Sequence, residues 1–246
     1  MLMTSDNIRH ETTHHVCHTR RPQSHRFIHK ALRALMFRTL QQVASLDAGD
    51  AGERATLVAQ VEELLQVCTD HLVHENTHFH APMRERAPRA VAPFDADHEE
   101  HLSSIARLRQ LLSVVAQGSP AARDNAYELY LELSRFVGEN LEHMADEETA
   151  FTHALWEQFS DADIEAMDQR LQATFTPQEG AYYLRWMARG LNHAELQELV
   201  GKAMVAMPTP VFQGLCGLLQ EELPAERWRR LACALTIAPM PGLKSA

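Results

Sequence analysis

Asp70-His71-Leu72-Val73-His74-Glu75-Asn76-Thr77-His78-Phe79 carries the pattern His-x3-Glu-x3-Phe at His71, Glu75 and Phe79. The same three residue types return at His143, Glu147 and Phe151, each 72 positions later (71 to 143, 75 to 147, 79 to 151). A fourth pair shares that offset: His29 and His101 stand near the starts of the first and third long amphipathic stretches. The chain therefore reads as a duplicated helical hairpin carrying metal-ligand residue types.

The frame around that repeat is a chain of 246 residues with 45% hydrophobic content, long enough to bury a substantial core. Lys+Arg 23 against Asp+Glu 33 gives a formal charge of −10, which repels phosphate backbones and anionic lipid, so nucleic acid and membrane surfaces are excluded as partners. No apolar run approaches the ~20 residues of a membrane span, and Met1-Leu2-Met3-Thr4-Ser5-Asp6 lacks a signal-peptide apolar region. The expectation is a soluble cytoplasmic protein. Cys17, Cys68, Cys216 and Cys233 show no CxxC spacing, which argues for free, mostly buried thiols.

Residues 1–23 hold His10, His14, His15, His18 and Cys17 without apolar periodicity and read as a flexible His-rich tail. From Ser24, a candidate N-cap, to Leu46, apolar residues fall at three-and-four spacing, the mark of one helical face. A polar break at residues 47–52 precedes a second periodic run that continues to Phe79, with Pro82 expected to end it. About 17 residues separate His29 from the end of helix one, and about 18 separate the start of helix two from His71. At about 1.5 Å per residue each arm is ~26 Å long, so an antiparallel hairpin returns His71 to the level of His29. Residues 81–96, with Pro82, Pro88 and Pro93, read as a linker. Helix three is expected to start at residues 95–97 and to break at Gly118-Ser119-Pro120, and helix four to run through Phe151 to Leu155. The predicted fold is all-α: an antiparallel up-down-up-down four-helix bundle over residues 24–158. After the cap-like cluster Ser160-Asp161-Ala162-Asp163 the helices shorten. Further starts at Thr176-Pro177-Gln178-Glu179, Asn192-His193-Ala194-Glu195 and Leu223-Pro224-Ala225-Glu226 predict a C-terminal helical extension over residues 161–238. Its expected role is packing on the bundle or forming a homodimer surface.

Positions i and i+4 lie about 40° apart around a helix, so His71 projects beside Glu75 and His143 beside Glu147. Adding His29 and His101 from the other two helices gives four imidazoles and two carboxylates, an inventory for two metal ions with carboxylates able to bridge them. The expected ligands are His29, His71, Glu75, His101, His143 and Glu147. Such groups are costly inside a bundle unless something positive compensates the carboxylates. Imidazole and carboxylate donors suit zinc and manganese as well as iron. Phe79 and Phe151 lie one turn beyond each Glu, placed to wall the site from water or to pack the core. No P-loop, dinucleotide fingerprint or serine nucleophile motif is present.

These residues resemble the hemerythrin-like, or HHE cation-binding, domain family over residues 24–158. The resemblance rests on His29 within Phe27-Ile28-His29-Lys30-Ala31-Leu32-Arg33, His71-x3-Glu75 followed by Pro82, Glu100-His101-Leu102, and His143-x3-Glu147-Glu148. It implies a non-haem di-iron centre with the six residues above as ligands and a small diatomic or peroxide partner. Oxygen-carrying members use five histidines, with His-x3-His on the third helix and His-x4-Asp on the fourth. Here Ile105 follows His101 at four residues and the fourth helix offers Glu147. The set is closer to members implicated in iron sensing or iron-centre repair. His25, His98 and His74 are candidates for an additional ligand or a supporting hydrogen bond. The resemblance thus implies a protein that binds, senses or reduces O2, NO or peroxide at a carboxylate-bridged di-iron site, with turnover left open. The alternative is an iron-sensing, iron-storage or iron-centre-repair module without turnover of its own.

Overall fold

The computed structural model describes residues 21–119 and 122–237, and all regular structure among them is helical. Most of the His-rich N-terminal stretch lies outside the described residues. No helix among the described residues is long and apolar enough to cross a membrane.

Helix α1 spans Arg26–Ser45 and buries His29, Ala31, Leu32, Leu35, Met36, Thr39 and Val43 on one face. Ser24 does not cap it; His25 occupies the N-cap position without a side-chain cap bond. Helix α2, Ala51–Glu75, is capped by Asp50, whose carboxylate accepts from the backbone N–H groups of Gly52 and Glu53. It does not end near Pro82 as expected. A π-helical turn, Asn76–His80, leads directly into α3, Ala81–Arg86. After a kink at Ala87, α4 runs over Pro88–Ala116. The expected linker at residues 81–96 is therefore mostly helix, and α4 starts well before residue 95. The prolines mislead because Pro82 and Pro88 sit in the first turns of α3 and α4, where a missing N–H costs nothing. Pro93 lies inside α4 on its exposed side. Helix α5, Ala122–Asp146, is followed by a second π turn, Glu147–Phe151, and by α6, Thr152–Gln158. Both π turns fall immediately at a repeated glutamate.

The four long helices contact one another in a ring: α1 packs on α2 and α5, and α4 packs on α2 and α5. The core inside the ring includes Leu32, Met36, Leu57, Leu64, Leu65, Ile105, Leu108, Leu129, Leu133 and Phe136. A second apolar cluster, beyond the π turns, joins Phe79, Met83, Val91, Phe94, Phe151, Leu155 and Phe159 to Ile164 and Met167 of α7, Asp161–Gln172. Polar residues separate the two clusters, and the functional site lies among them.

The C-terminal helices start where the capping residues predict. Ser160 with Asp163 opens α7, Thr176 with Glu179 opens α8 (Pro177–Gly190), and Asn192 with Glu195 opens α9 (His193–Ala206), each as a reciprocal capping box. Helices α10, Thr209–Glu222, and α11, Ala225–Ala234, follow Pro208 and Pro224. Leu191, Leu196, Val200, Leu219, Leu223 and Leu231 give this segment its own apolar centre. Helix α8 also lies along α1, sending Tyr183 and Trp186 into the main core. Lys30 of α1 donates to Glu195 at 2.6 Å.

Gly190 permits this close seating: a β-carbon there would lie 2.5 Å from the Lys30 carbonyl oxygen. In an open helix, Gly to Ala gains up to about 1 kcal/mol. Here the overlap is with backbone and forces α8 off α1, at about 1–3 kcal/mol. Gly190→Ala is therefore expected to destabilise the protein, read as a lower urea midpoint; a raised midpoint would refute the packing argument.

Candidate metal centre

Glu75 and Glu147 face each other across the interior with relative exposures of 2% and 0%. Six imidazole Nε2 atoms surround them. Those of His25, His29 and His71 lie 3.5, 3.3 and 3.1 Å from Glu75 Oε1, and His29 Nε2 is also 3.4 Å from Glu147 Oε2. On the other side, the Nε2 atoms of His80, His98 and His143 lie 3.6, 3.6 and 3.3 Å from Glu147 Oε1, and that of His98 is also 3.6 Å from Glu75 Oε2. Two groups of potential ligand atoms converge within 4.8 Å: His29, His71, Glu75 and Glu147, and Glu75, His98, His143 and Glu147. Both carboxylates belong to both groups.

Five of the six expected ligands, His29, His71, Glu75, His143 and Glu147, are thus brought together. His101 belongs to neither group; its ring stands perpendicular to that of His143 with centroids 4.9 Å apart and against Phe136 at 6.1 Å. Three residues earlier on α4, His98 takes the place facing both carboxylates. The hydrogen-bond partners show the same shift. Asn76 and Glu148 are related by the 72-residue offset; Glu148 accepts from His29 Nδ1 at 3.1 Å, and Asn76 accepts from His98 Nδ1, not from His101, at 3.1 Å. His25 lies beside His29 as the shared helix face predicts, ring centroids 5.3 Å apart. His74 points elsewhere, against Phe175 at 5.1 Å.

Four of the rings are oriented from behind. The Nδ1 atoms of His29, His80, His98 and His143 meet Glu148, Asp95, Asn76 and Asp97 at 3.1, 2.8, 3.1 and 3.1 Å. Fixing Nδ1–H on an outer acceptor leaves Nε2 as the inward donor, the usual arrangement of a metal-binding imidazole. Sequence spacing did not identify His80. It follows Glu75 by five residues, the wrong face of an α-helix, and only the π turn brings it round. Phe79 and Phe151 are fully buried against His25, at 5.1 and 5.6 Å, and Phe151 also touches His80 and Phe94. They pack the second core and wall the site at once.

The residues fit a divalent metal on a structural ground. Both oxygens of Glu147, Glu75 Oε2, both ring nitrogens of His25, and the Nε2 atoms of His71 and His80 are buried without hydrogen-bond partners. An unpaired buried polar group costs about 1–3 kcal/mol, and more when charged. So many convergent ones make sense around a cation. In their own field, both glutamates are held well below the usual carboxylate range. For Glu75, burial and the Glu147 charge push upward, but His71 and His29 outweigh them; for Glu147, burial is outweighed by His143, His80, His98 and His29. Burial likewise opposes charge on His29 and His143, yet the Glu148 and Glu75 carboxylates beside one ring, and those of Glu147 and Asp97 beside the other, raise each from 6.5 to about 9. Burial dominates at His25 and His101, both lowered to about 4, in His101 with help from the His143 and His98 rings.

These shifts set a pH dependence for chelator-treated protein. Between 6.5 and about 9 the folded state keeps protons on His29 and His143 that the unfolded chain has released, so stability falls as pH rises. Between 6.5 and about 4 the unfolded chain binds protons at His25 and His101 that the folded state refuses, so stability falls as pH drops. Urea unfolding is expected to show maximal stability near neutral pH, declining on both sides; a plateau from pH 6.5 to 9 would contradict the charge pairing.

The family model of the hemerythrin HHE cation-binding domain matches residues 26–155. Comparison with curated proteins and with solved structures gives no match. The matched span covers more than half of the 246-residue chain and contains both Glu75 and Glu147 with the helices that surround them, so the chain belongs to the hemerythrin HHE cation-binding domain family.

Proposed function

We propose that this protein holds a non-haem di-iron centre in an antiparallel up-down-up-down four-helix bundle and uses it to bind, sense or reduce a small ligand such as O2, NO or peroxide. The observation that carries the reading is the pair of buried carboxylates, each reaching both groups of imidazoles, with three of their four oxygens lacking hydrogen bonds. Residues 24–158 form the metal-binding unit and residues 161–238 the extension. The ligand set is His29, His71, Glu75, His143 and Glu147, with His98 taking the place expected of His101 and His25 adding a donor on the His29 side. When bound, the paired iron supplies electrons and a coordination position for the small ligand.

The chain's own residues set the conditions for that chemistry. Glu75 and Glu147 present one oxygen to each side and hold the two positions together. Glu148, which is also paired with Arg33, steadies the His29 ring. Phe79, Phe94 and Phe151 keep bulk water from the buried face. Asp97, half exposed, holds His143 Nδ1 at 3.1 Å and so fixes the ring with Nε2 turned inward. Zinc or manganese remains compatible with the donor set.

A second reading, an iron-sensing, storage or repair module without turnover, is favoured by the clamp between α1 and α8. Helix α1, with His25 at its N-cap and His29 one turn later, packs along α8 and meets Trp186 through Arg38 and Glu195 through Lys30. A shift of α1 on metal loading would be passed to the extension.

Elemental analysis of protein purified without added metal is expected to find close to two irons per chain, falling by at least half in His71→Ala and in His143→Ala. Little metal, or an amount indifferent to both substitutions, would sink the metal-centre reading. With reduced, loaded protein, consumption of NO, O2 or peroxide beyond one equivalent per site is expected for the first reading; consumption that stops at one equivalent selects the second.

A further inference from the structure

We infer that His80, delivered by the π turn Asn76–His80, is an additional metal ligand on the Glu147 side of the centre. The inference rests on the metal-centre reading above and extends it to a residue outside both convergent groups.

His80 is completely buried, and its Nε2 has no hydrogen-bond partner while lying 3.6 Å from Glu147 Oε1. Its other nitrogen is fixed: Nδ1 meets Asp95 Oδ1 at 2.8 Å. Arg84 holds Asp95 in turn, donating from Nε to Oδ2 at 2.7 Å and from Nη2 to Oδ1 at 2.7 Å, and also donates to Asn76 Oδ1 at 3.2 Å. One guanidinium therefore positions the acceptors behind both His80 and His98. Those two rings lie nearly parallel, 14° apart with centroids at 4.5 Å, and both direct Nε2 toward Glu147 Oε1. His143 joins them, its Nε2 3.0 Å from that of His98.

A purely structural histidine would explain less. Such a ring, anchored at Nδ1, would satisfy Nε2 with a protein partner; here Nε2 is buried without one and faces Glu147 Oε1 at 3.6 Å. The π turn adds its own argument, because a π turn is uncommon and clusters at functional sites. The other half of the duplication provides a control. Position 152, offset by 72 from His80, is Thr152, whose hydroxyl donates to the Glu147 carbonyl oxygen at 2.7 Å. There the wide turn is satisfied locally and directs no ligand inward. At His80 the same backbone device turns an imidazole onto the carboxylate pair. The result is three imidazoles on each side: His25, His29 and His71 around Glu75 Oε1, and His80, His98 and His143 around Glu147 Oε1.

The test is Co(II) titration of chelator-treated full-length protein, followed by calorimetry and by the d–d absorption bands, which report coordination number. Wild type is expected to bind two equivalents. In His80→Ala one equivalent should be unchanged and the other weakened at least ~100-fold, with altered d–d bands, since losing even an outer partner costs about 10–100-fold. Asp95→Asn keeps the buried ring and guards against misfolding of His80→Ala; it should weaken the same single equivalent by about 10-fold. Wild-type affinities and bands in Asp95→Asn and in folded His80→Ala would overturn the role of His80. If His80→Ala does not fold, the Asp95→Asn titration decides alone. Failure of wild type to bind Co(II), or binding indifferent to His71→Ala, would instead overturn the metal centre itself.

Discussion

Everything in this structure answers to two carboxylates placed where water does not reach. Glu75 and Glu147 lie between two apolar clusters, and moving a carboxylate from water into such a place costs several kcal/mol even after relaxation. A fully buried leucine returns about 1.5–3 kcal/mol. The aliphatic core on either side is therefore needed simply to hold the pair in place, and the polar layer must also supply positive charge. Cationic His29 and His143 do so in the protein by itself, held near a pKa of about 9. Once deprotonated, the same nitrogens are chemically suited to a metal, so protons and a metal ion would compete for one set of atoms.

Much of this was legible in the sequence because it depends on local periodicity. Three-and-four spacing marked the long helices, the i to i+4 relation placed His71 beside Glu75 and His143 beside Glu147, and the cap residues located α7, α8 and α9. What was not legible departs from a regular period. The π turns break the 3.6-residue count, so His80 seemed to lie on the wrong face. Pro82 and Pro88 looked like breaks, although in a first turn a proline is tolerated. The 72-residue offset correctly paired His71 with His143 and Glu75 with Glu147, then pointed to His101 where His98 stands. Sequence register survived along α2 and α5, but on α4 the ring facing both carboxylates is His98, three residues before the His101 indicated by the offset from His29. The outer acceptors Asp95, Asp97 and Asn76 had no spacing signal, because each reaches its histidine across a helix–helix contact.

The C-terminal segment meets the bundle at more than one helix: α8 lies along α1, Tyr182 donates to Glu63 of α2 at 2.7 Å, and α7 packs beside the first π turn. Trp186 and Tyr183 enter the main core, Gly190 lets the two backbones approach, and Lys30 meets Glu195. The Gly190 approach and the Lys30–Glu195 pair fall on α1, the helix that presents His29 and has His25 at its N-cap. Within the segment, α8 and α9 bear on the α1 side of the site, while α7 packs with the aromatic wall formed by Phe79, Phe94 and Phe151.

The histidine–glutamate pairs of the two halves are alike, while position 80 and its counterpart 152 differ, histidine in one and threonine in the other. Symmetry has been kept in the scaffold and given up at the rim. The two sides of the carboxylate pair therefore have different rims, an imidazole facing Glu147 at position 80 and, at position 152, a hydroxyl turned back onto the Glu147 carbonyl.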